Sequence, residues 1–189
     1  MIVLKDKDTV YFASAAGHYN NYQNVRPDLS DEDNMHLWHL NDGKGTIVML
    51  SVRSDRITDL LRYSDIFNCE LTMEALREIP SKIRSIFEGT NCRMRDENTG
   101  VTVFIARDNR AFRIHSVGAV YEIEDFSSIG CCENAIDVGY ELSKGIEDPM
   151  QRIAAIFNVV NAHSNHRAYP ISVINTKDDS YTLLEEDAR

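Results

Sequence analysis

The sequence contains the residue types of a hydrolytic triad near its start, namely Ser14, His18 and Asp33. A serine, a histidine and an aspartate can together activate a hydroxyl for attack on an acyl group. No nucleophile-elbow pattern surrounds Ser14, however, and these residue types occur by chance in any chain of this size. We therefore assign no catalytic role to this set.

Cys131 is a second candidate nucleophile, because it lies near the start of a predicted helix. A helix N-terminus lowers the pKa of a thiol and so favours the reactive thiolate. His36 or His115 could then act as the base. A small buried cysteine that packs as an apolar side chain is the more common outcome for such a residue.

His163 and His166 are three residues apart around a predicted helix end, a spacing that could present two imidazoles to a metal ion. His18 or Asp178 would have to supply further ligands. Surface histidines that favour a helix C-terminus are the more frequent case. The glycines lie at predicted turns and form no phosphate-binding loop, so we expect neither a metal nor a cofactor.

The composition is that of one folded domain covering residues 1–189, since 43% hydrophobic residues are enough for a sizeable core. The formal net charge of -10 argues against a nucleic-acid partner, because binding phosphates requires clustered lysine and arginine. Apart from short groups at residues 28–33 and 185–187, the acids are scattered, and their expected role is solubility.

The start of the chain is charged at residues 5–8 and does not have the uninterrupted apolar stretch of a signal peptide. No apolar run approaches the length of a membrane span, so we expect no membrane partner. The four cysteines, Cys69, Cys92, Cys131 and Cys132, form no C-x-x-C pair. Reduced thiols in a cytoplasmic protein are therefore expected.

Two hairpins are predicted at the start of the chain from short runs rich in Val, Ile, Tyr and Phe. The first hairpin joins residues 2–5 to residues 9–14. The second joins residues 35–40 to residues 46–52 around the turn signal Asp42-Gly43. If the chain start is a core strand, alternation requires that neighbouring side chains of this strand pack on opposite faces of a sheet.

A polar loop is predicted at residues 15–34, which are rich in Asn and acids. Further strands are predicted at residues 101–106 and within residues 111–129, where Gly118 indicates a turn. A last strand is predicted at residues 169–175.

The helices are predicted from apolar stripes and capping residues. Ser54 is a predicted N-cap for a helix over residues 55–67. Thr72 begins a second helix, which Pro80 kinks and Gly89 ends.

Two more helices follow, one beginning beyond Gly130 and ending at Gly145, and one beginning at Asp148-Pro149. The predicted order is two hairpins, two helices, several strands, two helices and a strand. This order excludes alternating βαβ winding and favours an α+β fold. Two sheets between two helical layers fit this order best.

Several short patterns, spread over nearly the whole chain, resemble a proteasome-type β subunit of the N-terminal-nucleophile hydrolases. They are the opening hairpin with Val10-Tyr11-Phe12-Ala13-Ser14, His36-Leu37-Trp38-His39-Leu40 with Thr46-Ile47-Val48, Ser54-Asp55, Phe126-Ser127-Ser128-Ile129-Gly130, and residues 162–176. The resemblance implies a four-layer αββα sandwich. It also implies a catalytic threonine whose free amine begins the chain.

The positions that this family uses for catalysis carry other residue types here. Met1 lies where the threonine is expected, Ser14 or Ala15 where an aspartate is expected, and His36 where a lysine tunes the nucleophile. The glycine amide of the oxyanion hole corresponds to Ser51, which could still donate its amide, and a serine after Ile-Gly corresponds to Cys131.

Cleavage of a precursor would not restore the threonine. The bond Gly45-Thr46 has the family's cleavage pattern, but cutting there would remove the first hairpin and leave Arg62 near the spacing of the aspartate. Cutting at Gly89-Thr90 would remove half of the domain.

The resemblance therefore predicts a proteasome-like subunit without threonine-peptidase chemistry, a pseudoenzyme. It would be a structural or binding component, a homo-oligomer or ring, with a possible protein or peptide partner. The alternative is an active peptidase or amidohydrolase with a non-standard nucleophile, Cys131 or Ser14. A binder of small molecules or peptides that uses the former catalytic cleft is a third possibility.

Overall fold

The computed structural model of the chain describes residues 1–15, 36–40, 42–51, 60, 63–89, 100–130, 132–163, 168–178 and 180–186. Within these residues the strands are β1 (Ile2–Asp6), β2 (Thr9–Ala15), β3 (His36–His39), β4 (Ile47–Ser51), β5 (Thr102–Arg107), β6 (Arg110–His115), β7 (Val120–Glu122), β8 (Phe126–Ser128), β9 (Ile171–Asn175) and β10 (Tyr181–Leu184). The helices are a 3₁₀ helix (Ser64–Phe67), α1 (Met73–Leu76), α2 (Ile79–Gly89), α3 (Glu133–Ser143) and α4 (Pro149–His163).

The strands form two antiparallel sheets. The first sheet has the order β10-β9-β2-β1-β8 and the second has the order β3-β4-β5-β6-β7. Both predicted hairpins are confirmed: Val3 pairs with Phe12 in the first, and Leu37 pairs with Met49 in the second. The predicted loop before the second hairpin lies outside the described residues, except that Ala15 still belongs to β2.

Buried side chains form three apolar clusters. The inter-sheet cluster joins the two sheets through residues that include Met1, Val3, Phe12, Ile47, Met49, Phe104, Ala111 and Ile174. A second cluster joins the other face of the second sheet to the 3₁₀ helix, α1 and α2. A third cluster joins the other face of the first sheet to α3 and α4.

The first strand divides its side chains between two of these clusters. Val3 packs in the inter-sheet cluster, while Ile2 and Leu4 pack in the cluster that contains α3 and α4. All three side chains are fully buried. The predicted alternation is therefore confirmed, because successive residues of a strand point to opposite faces of a sheet.

The turn of the second hairpin is fixed by one carboxylate. Asp42 accepts hydrogen bonds from the Lys44 amide at 2.8 Å and from the Thr46 hydroxyl at 2.5 Å. Arg107 at the end of β5 donates to the same carboxylate at 3.3 Å and to the carbonyl oxygen of Cys69 at 3.1 Å. The turn is thereby tied to both β5 and the chain that leads to α1.

Two of the helix predictions need correction. Most of the helix predicted over residues 55–67, with its N-cap Ser54, lies outside the described residues; Leu60 is α-helical, but Ser64–Phe67 form a 3₁₀ helix. The helix predicted to kink at Pro80 is two helices, α1 and α2, and the second begins just before the proline. A proline fits this position because the amides of a first helical turn have no partner within the helix.

The other helix starts agree with the predictions. The Thr72 hydroxyl accepts from the Ala75 amide at 3.2 Å and caps α1. Asp148 accepts from the Gln151 amide at 2.8 Å and caps α4. No helix of the described residues is long and apolar enough to cross a bilayer.

The last predicted strand corresponds to β9, but the chain then turns back to form β10, which no pattern had predicted. Thr182 of β10 pairs with Val173 of β9. β10 is the edge of the first sheet, and it carries two exposed apolar side chains, Tyr181 and Leu183.

Candidate functional site

Met1 lies at the start of β1, in the position that the resemblance gives to a catalytic threonine. Its side chain is 4% exposed and packs in the inter-sheet cluster. Its amino group donates to the carbonyl oxygen of Ile129 at 3.1 Å, and its own carbonyl accepts from the Ile129 amide at 3.0 Å. Met1 thus forms the same kind of backbone hydrogen bonds as the residues of the β1–β8 ladder. Its side chain is a thioether.

Ser14 lies inside the first sheet. It pairs with Ser172 of β9, and it is 2% exposed. Strand alternation places it on the same face of β2 as Phe12, which packs in the inter-sheet cluster. His18 and Asp33, the other members of the possible triad, lie outside the described residues.

Two further candidate positions are described only in part. The backbone of His36 belongs to β3 and pairs with Leu50 of β4. Cys131 lies outside the described residues, while its neighbour Cys132 is half-buried at the start of α3. The structure therefore does not test the thiolate hypothesis.

A polar row runs across the second sheet at one end of its strands. Ser51 of β4 pairs with Thr102 of β5, which in turn pairs with His115 of β6. The hydroxyl of Thr102 is 3.1 Å from Nδ1 of His115. Burial, with a smaller contribution from the charge of Arg113, lowers the pKa of His115. Burial thus favours the neutral imidazole over its charged form.

Arg113 connects the two sheets beside this row. Its guanidinium donates to the Ser128 carbonyl oxygen at 3.1 Å and lies 3.8 Å from a carboxylate oxygen of Glu133. It also lies over the Phe104 ring, 5.7 Å from the centroid. Sequence reasoning missed this residue, although a charged side chain within the apolar run of β6 was a signal.

The link between Arg113 and β8 continues into α3. Ser128 pairs with Ile2, and its hydroxyl donates to Asp137 of α3 at 2.8 Å. Ser128 is only 4% exposed, whereas Asp137 is exposed, so this bond joins a buried hydroxyl to a surface carboxylate. The corner at Met1 is therefore held by groups from β1, β6, β8 and α3.

An open groove of about 840 Å³ lies next to this corner, between the edges of β7 and β8 and one side of α3. Its lining residues are Arg113, His115, Tyr121, Glu122, Ile123, Glu124, Asp125, Phe126, Ser127, Asp137, Tyr140, Glu141 and Lys144. Sequence reasoning missed the groove as well. The sequence feature that could have indicated the groove is the group of acids at positions 122, 124 and 125, which lies between two aromatic residues.

The possible metal ligands are not brought together in the described part of the chain. His163 is exposed at the end of α4 and Asp178 is exposed after β9, while His18 and His166 lie outside the described residues. Within the described ranges, no group of three or more His, Cys, Asp or Glu side chains could hold a metal ion.

Solved structures show which known fold the chain has. No protein-family model and no curated protein matches it. Anbu (ancestral beta-subunit) from Yersinia bercovieri aligns with a TM-score of 0.63 and 12% identity, over 98% of this chain and 86% of that one. BPH of Thiobacillus denitrificans, also solved in complex with epoxomicin, aligns at 0.62 and 11% identity, over 98% of both chains. Eukaryotic HslV from Trypanosoma brucei aligns at 0.56 and 12%, over 92% and 97%. The fold is thus that of the proteasome-like N-terminal-nucleophile hydrolases.

Proposed function

We propose that this chain is a proteasome-like subunit without threonine-peptidase chemistry, which acts as a structural component by assembling with further copies in the cytoplasm. The observation that carries the proposal is the burial of Met1, whose side chain is 4% exposed. Threonine chemistry requires a hydroxyl beside a free amine, and a thioether has no hydroxyl to activate.

The neighbouring positions support the same proposal. Ser14 provides a hydroxyl where the resemblance expects a carboxylate, and a hydroxyl carries no charge that could orient a base or an ammonium group. Its 2% exposure also speaks against the alternative in which Ser14 itself is the nucleophile, since a substrate would have to reach it through the sheet.

The three apolar clusters support a stack of four layers, with α1 and α2 on the second sheet and α3 and α4 on the first. Each sheet shares one cluster with the other sheet and one with helices. Such an αββα stack buries both faces of both sheets, because every apolar face must be covered.

Assembly is supported by the outer side of α3. Val138 is 53% exposed and Leu142 is 74% exposed, and the two lie one turn apart on the same side of the helix. Apolar side chains grouped on a surface are typical of protein contacts. The resemblance implies a homo-oligomer, such as a ring, as the product of this contact.

The chemistry is tested by incubating the protein with epoxomicin and measuring its intact mass. Thiobacillus denitrificans BPH, which has been solved in complex with epoxomicin, serves as the positive control. For this chain we expect an unchanged mass, equal to that of the chain from Met1. For the control we expect a mass that changes on incubation with epoxomicin. Stoichiometric labelling of any residue, or a mass showing that the chain has cut itself, would disprove the loss of threonine chemistry.

Assembly is tested by light scattering at several protein concentrations. We expect a mass well above that of one 21.5 kDa chain. Leu142→Glu should lower the mass to that of one chain, whereas Val117→Glu, at a site that is 73% exposed outside α3, should not. A parent protein that remains monomeric at high concentration contradicts the proposal.

The alternative of a hydrolase with a non-standard nucleophile is supported by one observation, the imidazole of His115, whose Nδ1 lies 3.1 Å from the Thr102 hydroxyl and whose pKa is lowered by burial. If this alternative holds, the protein cleaves fluorogenic peptide amides, and His115→Ala removes that activity. Cys131→Ser then identifies the nucleophile, since it should abolish turnover only if the thiol attacks.

A further inference from the structure

We propose that the groove between β7, β8 and α3 is a docking site for an extended peptide segment that carries lysine or arginine side chains. The inference rests on the charges, the rings and the strand edges that line the groove. It does not depend on the assembly proposed above, because the exposed side chains Val138 and Leu142 are not among the lining residues.

Carboxylates dominate the lining of the groove. It contains five acids, Glu122, Glu124, Asp125, Asp137 and Glu141, and two cations, Arg113 and Lys144. A concave wall with charges of one sign concentrates the electrostatic field and attracts ligands of the opposite sign.

Only part of this negative charge is matched within the protein. Glu122 is held by Arg110 at 2.9 Å, and Glu141 by Lys144 at 2.7 Å. Glu124 and Asp125 have no ion-pair partner in the described part of the chain. Asp137 has only an uncharged donor there, the hydroxyl of Ser128. Three carboxylates of the groove are therefore available to a cationic ligand.

The aromatic wall of the groove already receives cations from the protein itself. Tyr140 stacks on Phe126 with ring centroids 4.1 Å apart. The Tyr140 ring is also approached by Lys144 Nζ, 5.2 Å from its centroid, and by the Arg152 guanidinium, 4.9 Å from it. A ring attracts a cation through its negative face. Because Phe126, Lys144 and Arg152 already lie against Tyr140, the ring that suits a lysine or an arginine of a partner is Tyr121, which is 56% exposed.

The strand edges favour a peptide over a small cation. β7 pairs with β6 on one side and β8 pairs with β1 on one side, and each is the last strand of its sheet among the described residues. On the other side of each strand the described residues place no neighbouring strand, so backbone amides and carbonyls lie at the border of the groove, with the Ser128 carbonyl oxygen already occupied by Arg113. An extended segment can form main-chain hydrogen bonds with such an edge. Its alternate side chains then reach the carboxylates.

The test uses the full chain and a short fluorescein-labelled peptide of alternating lysine and valine, followed by fluorescence anisotropy. Glu124→Lys removes an acid from the groove, and Glu88→Lys makes the same change in net charge on α2, outside the lining. We expect Glu124→Lys to weaken binding about tenfold, and Glu88→Lys to weaken it less than about twofold. Melting temperatures of both variants verify that they fold.

Two further probes separate the parts of the proposal. A matched peptide of alternating glutamate and valine should not bind, since its carboxylates would lie beside the carboxylates of the groove. A lysine–valine peptide with N-methylated alternate amides should bind about tenfold more weakly, since it cannot donate to a strand edge. Equal losses for Glu124→Lys and Glu88→Lys would show attraction to the overall charge alone and overturn the site. Equal binding of the N-methylated peptide would overturn docking as a strand.

Discussion

The guanidinium of Arg113 lies 3.1 Å from the carbonyl oxygen of Ser128 and so joins a strand of the second sheet to a strand of the first. Replacing Arg113 with methionine keeps an unbranched apolar stem but removes this bond, the contact with Glu133 and the interaction with the Phe104 ring. We expect a loss of about 2 kcal/mol in the free energy of unfolding, measured in urea, because the bond has a charged donor and a half-buried site. The control Arg84→Met, on the exposed side of α2, should change stability by less than about 0.5 kcal/mol. Equal stability of Arg113→Met and the parent would mean that the two sheets do not depend on this link.

The first strand should behave as part of the core. Ile2→Ala and Leu4→Ala each remove a fully buried side chain from the cluster that contains α3 and α4. Each should cost about 2–5 kcal/mol, measured as a lower denaturant midpoint. Val117→Ala, at a site that is 73% exposed, should leave the midpoint unchanged. If both core variants match the parent, β1 is a frayed end and Met1 is not held in the core.

The crossing of α3 and α4 should tolerate no side chain at position 139. A Cβ atom added to Gly139 would lie 2.8 Å from the carbonyl oxygen and 2.9 Å from the Cα of Ile156. Because both are backbone atoms, the helices would have to move apart, and we expect Gly139→Ala to cost about 2 kcal/mol or more. Gly145→Ala is the matched control, since a Cβ there has nothing within 4 Å. Thermal unfolding distinguishes the two, and equal melting temperatures would contradict the close packing.

The turn carboxylate should make stability depend on pH. Burial opposes ionisation of Asp42, but hydrogen bonds from Thr46 and the Lys44 amide, together with the charge of Arg107, lower its pKa below 3.8. A lowered pKa stabilises the folded state fully above the unfolded-state value near 3.8, and this stabilisation is lost as the pH falls through the folded-state pKa.

Asp42→Asn leaves Arg107 with the exposed carboxylate of Glu70, 3.9 Å away, as its ion-pair partner, and because the Asp42 side chain is 1% exposed, the loss should be about 3 kcal/mol at neutral pH. The difference between Asp42→Asn and the parent should shrink below the unfolded-state pKa, as the parent itself becomes protonated. A difference that stays constant from neutral pH into acid would show that the charge of Asp42 has no part in the effect.

Much of the fold could be predicted because its signals are local. Asp42-Gly43 marks a hairpin, and Thr72 and Asp148 mark helix starts, through contacts that span only a few residues. β10 could not be found in this way, since a run of four residues before an acidic tail becomes a strand only by pairing with β9. Local signals did not predict the break between α1 and α2 either, because a proline alone does not determine whether a helix bends or ends.

The site was harder to predict than the fold. The groove unites Arg113 with residues of α3 that follow it by more than twenty positions, so only the sheet register and the helix packing bring them together. Met1, Ser14 and Ser51 could be placed next to or within hairpin strands in advance, because both hairpins have local signals. Whether such a position is open or buried depends on the opposite sheet, which a local pattern does not describe.

The edge strand β10 has a consequence for how the protein avoids aggregation. Its apolar side chains Tyr181 and Leu183 would make it a template for uncontrolled strand addition. Glu185 and Glu186 follow it at once, and Asn161 of α4 donates to Glu186 at 2.8 Å, which keeps that carboxylate beside the strand. A second copy that paired with this edge in antiparallel orientation would bring its own acidic tail close to the acidic residues around β10. The like charges of the two copies would then repel each other. The tail is therefore a gatekeeper, which protects this edge from the strand addition that leads to fibres.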